Sequence, residues 1–436
     1  MKYFFSWLVF LVCVHVCKAQ DNYLNTKTPY HPQQTNYTPE PKGFKPVFIN
    51  YTGRHGARFQ TSADKDQLVI AVLKQADQQH QLTTEGAVLL AQLQLFQQIE
   101  QNSYGELTLL GKEEQEHIAA RMSTAYPGVI TNGKLLLETT DKLRTQQSAK
   151  AFLKGLPYYD AAGSTSIIFP AASDSILRFY DLSEAYKTYE KSAQIKIHID
   201  SLLNDERTAT ASFDICKTIF TKEFIQHFSD GSIKDDKQQS ISSTTFSLAL
   251  YDIYCSTFAT SEELKTANNT IHTTLNKVFN NRILQWFDTI TSASDFYEKG
   301  PAEDASGIQA TIAIPLLYDL LKTTDTAINQ KKYDAVLRFT HAEAISPLAA
   351  LMEISQASTT SSSVFDFYKG WKAADIIPMS ANIQWILYSN GKTYLLKILL
   401  NEKEIALPVA TKTYPYYNWN DVKTYYLNKI ASLRKN

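Results

Sequence analysis

The chain is 436 residues long and 44% apolar, which is enough to form a large packed core and excludes general disorder. Its 43 lysines and arginines nearly balance 44 acidic residues, so the formal net charge is −1. This balance, with no long basic run, argues against a nucleic-acid partner and against a polybasic membrane binder. At about 150 residues per domain, the length predicts two or three structural units, or one large α/β domain with an insertion.

The N-terminus has the pattern of an export signal. Lys2 precedes an apolar run that extends from Tyr3 to about Val16, and small residues at the −3 and −1 positions fit cleavage after Ala19. The run is shorter than the ~20 residues of a membrane span, and no later segment supplies one. We therefore predict a signal peptide over residues 1–19 and an exported protein, in a periplasm, at a cell surface or secreted. An uncleaved anchor is the alternative.

Cleavage would leave two cysteines, Cys216 and Cys255. An exported compartment permits a disulfide between them, which would close a loop of about 40 residues. Two buried free thiols are an equally open alternative. The sequence has no CxxC motif and no Cys/His cluster, so it predicts no metal site.

Strand and helix patterns alternate over the first third of the chain. Residues 20–44 are polar and Pro-rich, and they predict an extended leader. The patterns that follow are a buried strand at 46–51, helical spacing over 65–99, a strand at 134–139 and a helix over 148–153.

The middle of the chain differs in composition from both ends. Between about Asp174 and Ala327 the spacing is helical and strand patterns are almost missing. Strand patterns return at 335–340, 383–388 and 394–400, and Asn390-Gly391 between the last two is typical of a hairpin. We therefore predict an α/β domain over residues 45–173 and 328–436, interrupted by a mostly helical cap domain over residues 174–327.

The sharpest motif is Arg54-His55-Gly56-Ala57-Arg58, which directly follows the first predicted strand. Loops at the carboxyl ends of strands bind ligands in open α/β sheets. Two arginines on either side of a histidine can hold a phosphate dianion beside the imidazole, and the glycine permits close backbone approach. The cationic neighbours also disfavour imidazolium, so His55 would stay neutral and nucleophilic.

Two further segments gain meaning beside this motif. His341-Ala342-Glu343 directly follows the predicted strand at 335–340. The histidine can donate to phosphate and the glutamate can protonate a leaving oxygen, although the same tripeptide also begins ordinary helices. Arg144 lies between a predicted strand and a predicted helix, where a lone arginine is most often solvated.

The three segments together resemble the histidine phosphatase superfamily, in its acid phosphatase and phytase branch. Residues 54–58 match the RHGxR motif, and Arg144 stands at the downstream phosphate-clamping arginine. His-Ala-Glu replaces the usual His-Asp, as in the inositol polyphosphate phosphatases, which the chain resembles most. The resemblance extends from about residue 45 to the C-terminus. Phe59 and Gln60 stand where tyrosine and proline are usual, which leaves the substrate preference open.

The resemblance implies a mixed central sheet flanked by helices, and a mechanism that uses no metal and no cofactor. His55 would attack phosphorus and form a phosphohistidine, and Glu343 would protonate the leaving alkoxide. An acidic to mildly acidic optimum follows, because the donor must carry a proton. The residues implied to bind the phosphate oxygens are Arg54, Arg58, Arg144 and His341.

We therefore expect an exported, metal-independent phosphomonoesterase whose partner is a small-molecule phosphate ester. The resemblance implies inositol polyphosphates such as phytate, with 2,3-bisphosphoglycerate as a further substrate. Lys65 and Lys142, near the motifs, are candidates for contacting additional phosphates. We expect a monomer. A broad-specificity histidine acid phosphatase and a non-catalytic inositol-phosphate-binding protein are the alternatives, although binding alone needs neither a nucleophile nor a proton donor.

Overall fold

The computed structural model describes residues 23–131, 133–157, 165–168, 174–235 and 238–434, with the backbone alone for 165–168. The predicted signal peptide lies outside these residues. Among the described helices, none is both long and apolar enough to span a lipid bilayer.

A mixed eight-stranded sheet lies at the centre of the described fold. Its strands are β1 (Lys45–Arg54), β2 (Leu135–Thr139), β3 (Thr165–Ile168), β4 (Ala335–Thr340), β5 (Asn382–Ser389), β6 (Tyr394–Leu400), β7 (Lys403–Glu404) and β8 (Tyr417–Asn418). They follow the order β3-β2-β4-β1-β5-β6-β7, and β8 pairs with β6. The four strands from β3 to β1 are parallel, whereas the pairs from β1 onward to β5, β6, β7 and β8 are antiparallel. The predicted α/β class with a mixed sheet is confirmed.

The apolar runs in the sequence correspond to the longer strands. The strand predicted at 335–340 is β4, in which all six residues are buried, as expected for a parallel strand covered on both faces. The predicted hairpin is β5 and β6. The sequence analysis missed β3, β7 and β8, which have only four, two and two residues and therefore too short a pattern to be recognised.

Helices cover both faces of this sheet and form most of the middle of the chain. The helices before β4 in the first part of the chain are α1 (Asp64–Gln78), α2 (Thr84–Glu100), α3 (Leu109–Ala125), α4 (Pro127–Ile130) and α5 (Leu143–Lys154). The middle helices are α6 (Phe179–Leu182), α7 (Glu184–Glu190), α8 (Ala193–Leu203), α9 (Glu206–Ile219), α10 (Lys222–Asp230), α11 (Ser243–Ala259), α12 (Ser261–Thr266), α13 (Ile271–Val278), α14 (Asn281–Lys299), α15 (Ile308–Thr311) and α16 (Ile314–Gln330). After β4 come α17 (Ala342–Leu351), α18 (Ser355–Ser358), α19 (Ala373–Ile376) and α20 (Trp419–Leu433). Asn25–Lys27 and Phe367–Lys369 are single 3₁₀ turns.

The helical spacing predicted over residues 65–99 belongs to two helices, α1 and α2. Thr83 separates them because its hydroxyl accepts from the Gly86 N–H and caps the start of α2. Both helices pack on the middle helices, α1 against α11 and α2 against α9. Apolar residues of α1, α2, α9 and α11 therefore share one core, and the domain boundaries predicted at 173 and 327 stay predictions.

The predicted leader is packed against the rest of the molecule from residue 23 onward. Tyr30 is buried; its N–H donates to Glu114 Oε1 (2.8 Å) and its hydroxyl donates to Glu402 Oε1 (2.9 Å). Nζ of Lys27 lies 2.7 Å from Oδ2 of Asp252 on α11. The leader thus contacts both the sheet region and the middle helices.

Cys216 on α9 and Cys255 on α11 are both buried free thiols. Burial raises the pKa of Cys216 to about 12 and that of Cys255 further still. Of the two alternatives left open by the sequence, the structure therefore has the free thiols.

Candidate active site

The register of the parallel strands brings the predicted motifs to one edge of the sheet. Arg54 at the end of β1 pairs with Thr340 at the end of β4, and Thr139 at the end of β2 pairs with Phe339. The His55 N–H continues the ladder by donating to the Thr340 carbonyl (3.0 Å). The loops after β1, β2 and β4 therefore leave the sheet side by side, as expected for ligand-binding loops.

The loop after β1 is held by side chains from α3 and α5. The Ala57 N–H donates to Glu114 Oε2 (2.8 Å), and the Gly56 N–H donates to Ser148 Oγ (3.1 Å). Nε2 of Gln115 donates to the Arg54 carbonyl (3.2 Å). These contacts satisfy buried backbone groups and fix the loop in one conformation. None of the three side chains was predicted from the sequence, because each is distant from the motif along the chain.

Gly56 is required by the approach of helix α3. A Cβ atom at Gly56 would lie 2.3 Å from the carbonyl oxygen of Gly111, and one at Gly111 would lie 1.9 Å from the carbonyl oxygen of Ala57. Both distances are too short for any side chain. The sequence analysis expected a ligand to approach the backbone at Gly56 closely, whereas in the structure the backbone of Gly111 approaches it.

His55 presents one ring nitrogen without a proton. Its Nδ1 lies 2.9 Å from the Gly56 carbonyl oxygen. A carbonyl only accepts, so Nδ1 carries the hydrogen and Nε2 of the neutral ring keeps its lone pair. Burial lowers the pKa of His55 well below its ordinary value, and the charges of Arg54 and Arg144 lower it further. The predicted neutral, nucleophilic imidazole agrees with this environment.

The three predicted arginines each have a buried Nε without a hydrogen-bond partner among the described residues. Nη1 of Arg54 donates to the carbonyls of Thr26 and Ile377, both at 2.6 Å. Burial and the neighbouring Arg144 lower the pKa of Arg58 to about 10. Unpaired buried donors are costly, and a bound anion with several oxygens would satisfy them.

Both ring nitrogens of His341 already have partners within the protein. Nη2 of Arg144 donates to Nδ1 (3.2 Å), so Nε2 carries the hydrogen and donates to Thr140 Oγ1 (3.0 Å). Burial, followed by the charge of Arg144, lowers the pKa of His341 to about 3. The predicted contact between His341 and phosphate stays a prediction, and it requires Thr140 or Arg144 to change partner.

Glu343 lies in the first turn of α17, two residues after His341, which is the N-cap of this helix. Its Oε1 is 3.1 Å from Nζ of Lys299 at the end of α14, and the same ammonium is 3.0 Å from Asp295 Oδ1. Burial alone would raise the pKa of Glu343, but the Lys299 ammonium, His341, a backbone N–H and Arg54 together outweigh burial and hold the pKa well below its ordinary range. The predicted proton donor is therefore an ionised carboxylate in this structure.

Two cations of this region were not predicted, Lys299 and Arg178. Arg178 is mostly buried and pairs with Asp141 and Asp181. It lies close enough to contribute to the lowered pKa of both Arg144 and His341. Neither cation belongs to a motif near a strand end, so local sequence gives no signal for them.

The remaining candidates are more peripheral. Lys65 is exposed at the start of α1, and Lys142 Nζ lies 3.6 Å from Asp141 Oδ2. Within the described part of the chain, no group of three or more histidine, cysteine or acidic side chains is arranged to hold a metal ion.

Comparison with known proteins points to one family. The model of the histidine phosphatase superfamily (branch 2) matches residues 52–401. A Bifidobacterium longum multiple inositol polyphosphate phosphatase solved with phosphate is 21% identical, with a TM-score of 0.82 over 94% of this chain and 98% of that one. Its complex with inositol hexasulfate gives 22% identity and a TM-score of 0.79 over 92% and 97%. The phytase of D. castellii gives 15% and 0.63 over 94% and 85%. Among curated proteins nothing matches this chain.

Proposed function

Because the chain belongs to branch 2 of the histidine phosphatase superfamily and is therefore a phosphatase, we propose that it hydrolyses inositol polyphosphates such as phytate. The observation that carries this proposal is the set of three buried, unpartnered guanidinium Nε–H groups around a neutral His55. Their charge and geometry suit a phosphoryl group and supply the stabilisation that a metal ion gives in other phosphatases. The pattern of residues 1–19 supports export.

In the first step, His55 Nε2 attacks phosphorus while the bond from phosphorus to the leaving alkoxide breaks. The carboxylic proton of Glu343 passes to that alkoxide, and the phosphoryl group becomes bound to Nε2. Its equatorial oxygens face Arg54, Arg58 and Arg144, which are already in position and need little reorganisation. The net products are an alcohol and a phosphohistidine.

In the second step, a water molecule attacks the phosphorus of the phosphohistidine. A proton of this water passes to the Glu343 carboxylate, and the bond between nitrogen and phosphorus breaks. Inorganic phosphate leaves, His55 returns to its neutral form, and Glu343 again carries the proton it needs for the next cycle.

The charge of the site supports a substrate with several phosphate groups. Whereas the whole chain has a net charge of −1, this edge of the sheet gathers five cations: Arg54, Arg58, Arg144, Arg178 and Lys299. The solved relatives also support this class, since one is a complex of a multiple inositol polyphosphate phosphatase with inositol hexasulfate. We extend the proposal to 2,3-bisphosphoglycerate as a second polyanionic substrate.

A substrate panel tests the proposal. Residues 20–436 would be purified and phosphate release measured from inositol hexakisphosphate, 2,3-bisphosphoglycerate and β-glycerophosphate between pH 3 and 8, with and without a chelator. Each additional charge-assisted contact strengthens binding in the transition state, so we expect kcat/KM to favour the hexakisphosphate over β-glycerophosphate by about tenfold or more. We expect the chelator to change nothing.

Other results would support the alternatives. Equal kcat/KM across the panel would indicate a broad-specificity acid phosphatase. Tight binding of the hexakisphosphate by folded protein without turnover of any substrate would indicate a binding protein. Activity that disappears with the chelator would contradict the metal-independent mechanism.

A further inference from the structure

Lys299 is a buried lysine that the proposed mechanism does not use. Its side chain is only 10% exposed, and its ammonium lies between two carboxylates, 3.0 Å from Asp295 Oδ1 and 3.1 Å from Glu343 Oε1. We infer that Lys299 is the binding residue for a second phosphate group of the substrate, and that its movement from Glu343 to this phosphate frees the carboxylate to take up the proton it donates. The inference rests on the proposed function.

The distances place Lys299 beside the predicted proton donor, Glu343. A general acid works within about 3 Å of the oxygen it protonates. Since Lys299 Nζ contacts the Glu343 carboxylate directly, it lies one group further from the leaving oxygen. The inference therefore requires that a phosphate on the ring carbon next to the leaving oxygen lies within reach of the Lys299 ammonium. The flexible stem and three donors of a lysine allow its ammonium to exchange one anionic partner for another.

The groups around Glu343 explain why the exchange matters. Charged and titratable groups interact with this carboxylate from several elements: Arg54, Arg58, Arg144, Tyr180, Tyr186, Glu190, Glu298, Lys299 and His341. Among these, Lys299 forms the direct ion pair. A single phosphate at the arginines would neutralise them and leave the ammonium on Glu343, which then stays ionised and has no proton to give.

A second phosphate changes this balance. A phosphate dianion competes with the carboxylate for the ammonium, because it carries more charge and more acceptor oxygens. Glu343 then faces two phosphate groups without its cation, and negative neighbours favour the protonated carboxyl. The ammonium passes from one anion to another and the carboxylate takes one proton from solvent. A substrate with neighbouring phosphates therefore leads to a protonated Glu343, which can then donate its proton. A substrate with a single phosphate leaves Glu343 ionised.

The test compares the wild type with Lys299→Gln and Lys299→Arg. Values of kcat and kcat/KM would be measured from pH 3 to 8 for inositol hexakisphosphate and for β-glycerophosphate, which has a similar alkoxide leaving group and one phosphate. Lys196→Gln, at an exposed lysine of α8 that pairs with Asp200, is the matched control. Thermal unfolding of each variant would establish that it is folded.

We expect Lys299→Gln to lose about tenfold or more in kcat/KM for the hexakisphosphate. For β-glycerophosphate we expect the basic limb of the pH profile to move to higher pH, because Glu343 loses the cation that keeps it ionised. The ratio between the two substrates then falls. Lys299→Arg keeps most of the preference, because it keeps the charge, and Lys196→Gln behaves as the wild type.

A folded Lys299→Gln protein with an unchanged substrate ratio and an unmoved basic limb would overturn the inference and make the ion pair merely structural. If this variant does not fold, the pH profiles of the wild type on the two substrates test the inference instead. The basic limb of the wild-type kcat profile, which reports the enzyme–substrate complex, must lie at higher pH for the hexakisphosphate than for β-glycerophosphate, and coincident limbs would overturn the inference. Wild-type protein that hydrolyses β-glycerophosphate but not the hexakisphosphate would instead refute the proposed function, which is a different result.

Discussion

At the scale of single residues, the environments of His55 and Glu343 lower the pKa of both groups, and the consequence for catalysis differs between them. Burial and the surrounding arginines lower the pKa of His55, so the ring stays neutral into acidic solution. The Lys299 ammonium, with His341, a backbone N–H and Arg54, keeps Glu343 ionised before substrate binds. The histidine is therefore ready to attack, whereas the glutamate needs a change in its surroundings.

Replacing Glu343 by glutamine tests its role as proton donor. An amide cannot give a proton, so we expect Glu343→Gln to lower kcat on inositol hexakisphosphate by about 10²- to 10³-fold. The loss should be less than about tenfold on p-nitrophenyl phosphate, whose leaving group needs no protonation. The exposed Glu113→Gln on α3 is the control. Equal losses on both substrates would contradict the assignment.

The sequence predicted the residues nearest to the strand ends, and it missed those that support them. His55 and His341 follow strands directly, and Arg144 lies in the first turn of α5 after the short loop that follows β2; the register of the parallel strands then determines that these loops are neighbours. Glu114 and Lys299 reach the site through the packing of α3 and α14, which no local pattern encodes. The roles of all these side chains stay predictions until they are measured.

At the scale of elements, α1 and α2 contribute two buried carboxyl groups, Asp66 and Glu100, that contact Gln60, two residues after the arginine motif. Nε2 of Gln60 donates to Asp66 Oδ1 (2.6 Å) and to Glu100 Oε2 (3.1 Å), and the Gln60 N–H donates to Glu100 Oε1 (3.0 Å). Burial, followed by the charge of Asp66, raises the pKa of Glu100 to about 8. A proline here, as in the family pattern, would lack both donors.

This pair predicts a loss of stability toward alkaline pH. The folded-state pKa of Glu100 lies above its unfolded value of 4.5, so the unfolded chain binds fewer protons between these values. The contribution of Glu100 to the free energy of unfolding should then be largest below pH 4.5. It should fall by up to about 1.4 kcal/mol per pH unit as the pH rises toward 8.

Urea unfolding at pH 5, 6.5 and 8 measures this effect. Glu100→Gln removes the titrating group, so we expect a flatter dependence on pH, whereas Glu113→Gln should leave the wild-type slope. Equal slopes for the wild type and Glu100→Gln would contradict the expected proton uptake.

The elements themselves were predictable where the apolar pattern is long. β1, β4 and the β5–β6 hairpin correspond to continuous apolar runs with turn residues at their ends. The division of residues 65–99 into two helices depends on a cap at Thr83, and the two-residue strands β7 and β8 depend on pairing with β6. Such features arise from tertiary contacts and leave little trace in local sequence.

At the scale of the whole molecule, residues 23–44 join the sheet, the middle helices and the candidate site. The Thr26 carbonyl accepts from Arg54, and Lys27 pairs with Asp252 on α11. Asp252 in turn contributes to the charge felt by Arg58. The composition predicted an extended leader, which is polar because much of its surface is exposed. It gave no indication that this segment supports an arginine of the motif.

A double-mutant cycle measures the contribution of this contact. Lys27→Met leaves Asp252 without its ammonium, and we expect the free energy of unfolding to fall by about 1 to 2 kcal/mol, since both side chains are only partly exposed. Asp252→Asn in the same chain should recover much of this loss, because the unpaired charge is removed. Strictly additive effects in urea unfolding would contradict a direct coupling between the two residues.

The net charge of the whole chain does not show that cations are concentrated at the candidate site. A net charge of −1 excludes a large basic surface and therefore requires that any anion site be a local cluster of cations. The fold forms this cluster from elements far apart in sequence, with arginines from β1 and α5 and a lysine from α14. Composition could predict that such a cluster is local, but only the packed molecule defines its members.

The central claim is that His55 carries the phosphoryl group, and rapid chemical quenching tests it most directly. Labelled substrate would be mixed with wild type and with His55→Ala, and the protein analysed for bound phosphate. We predict that the wild type forms about one acid-labile, alkali-stable phosphate per chain on the peptide containing His55. His55→Ala should form none and lose turnover by about a thousandfold or more. Folded His55→Ala that keeps wild-type turnover would contradict this account.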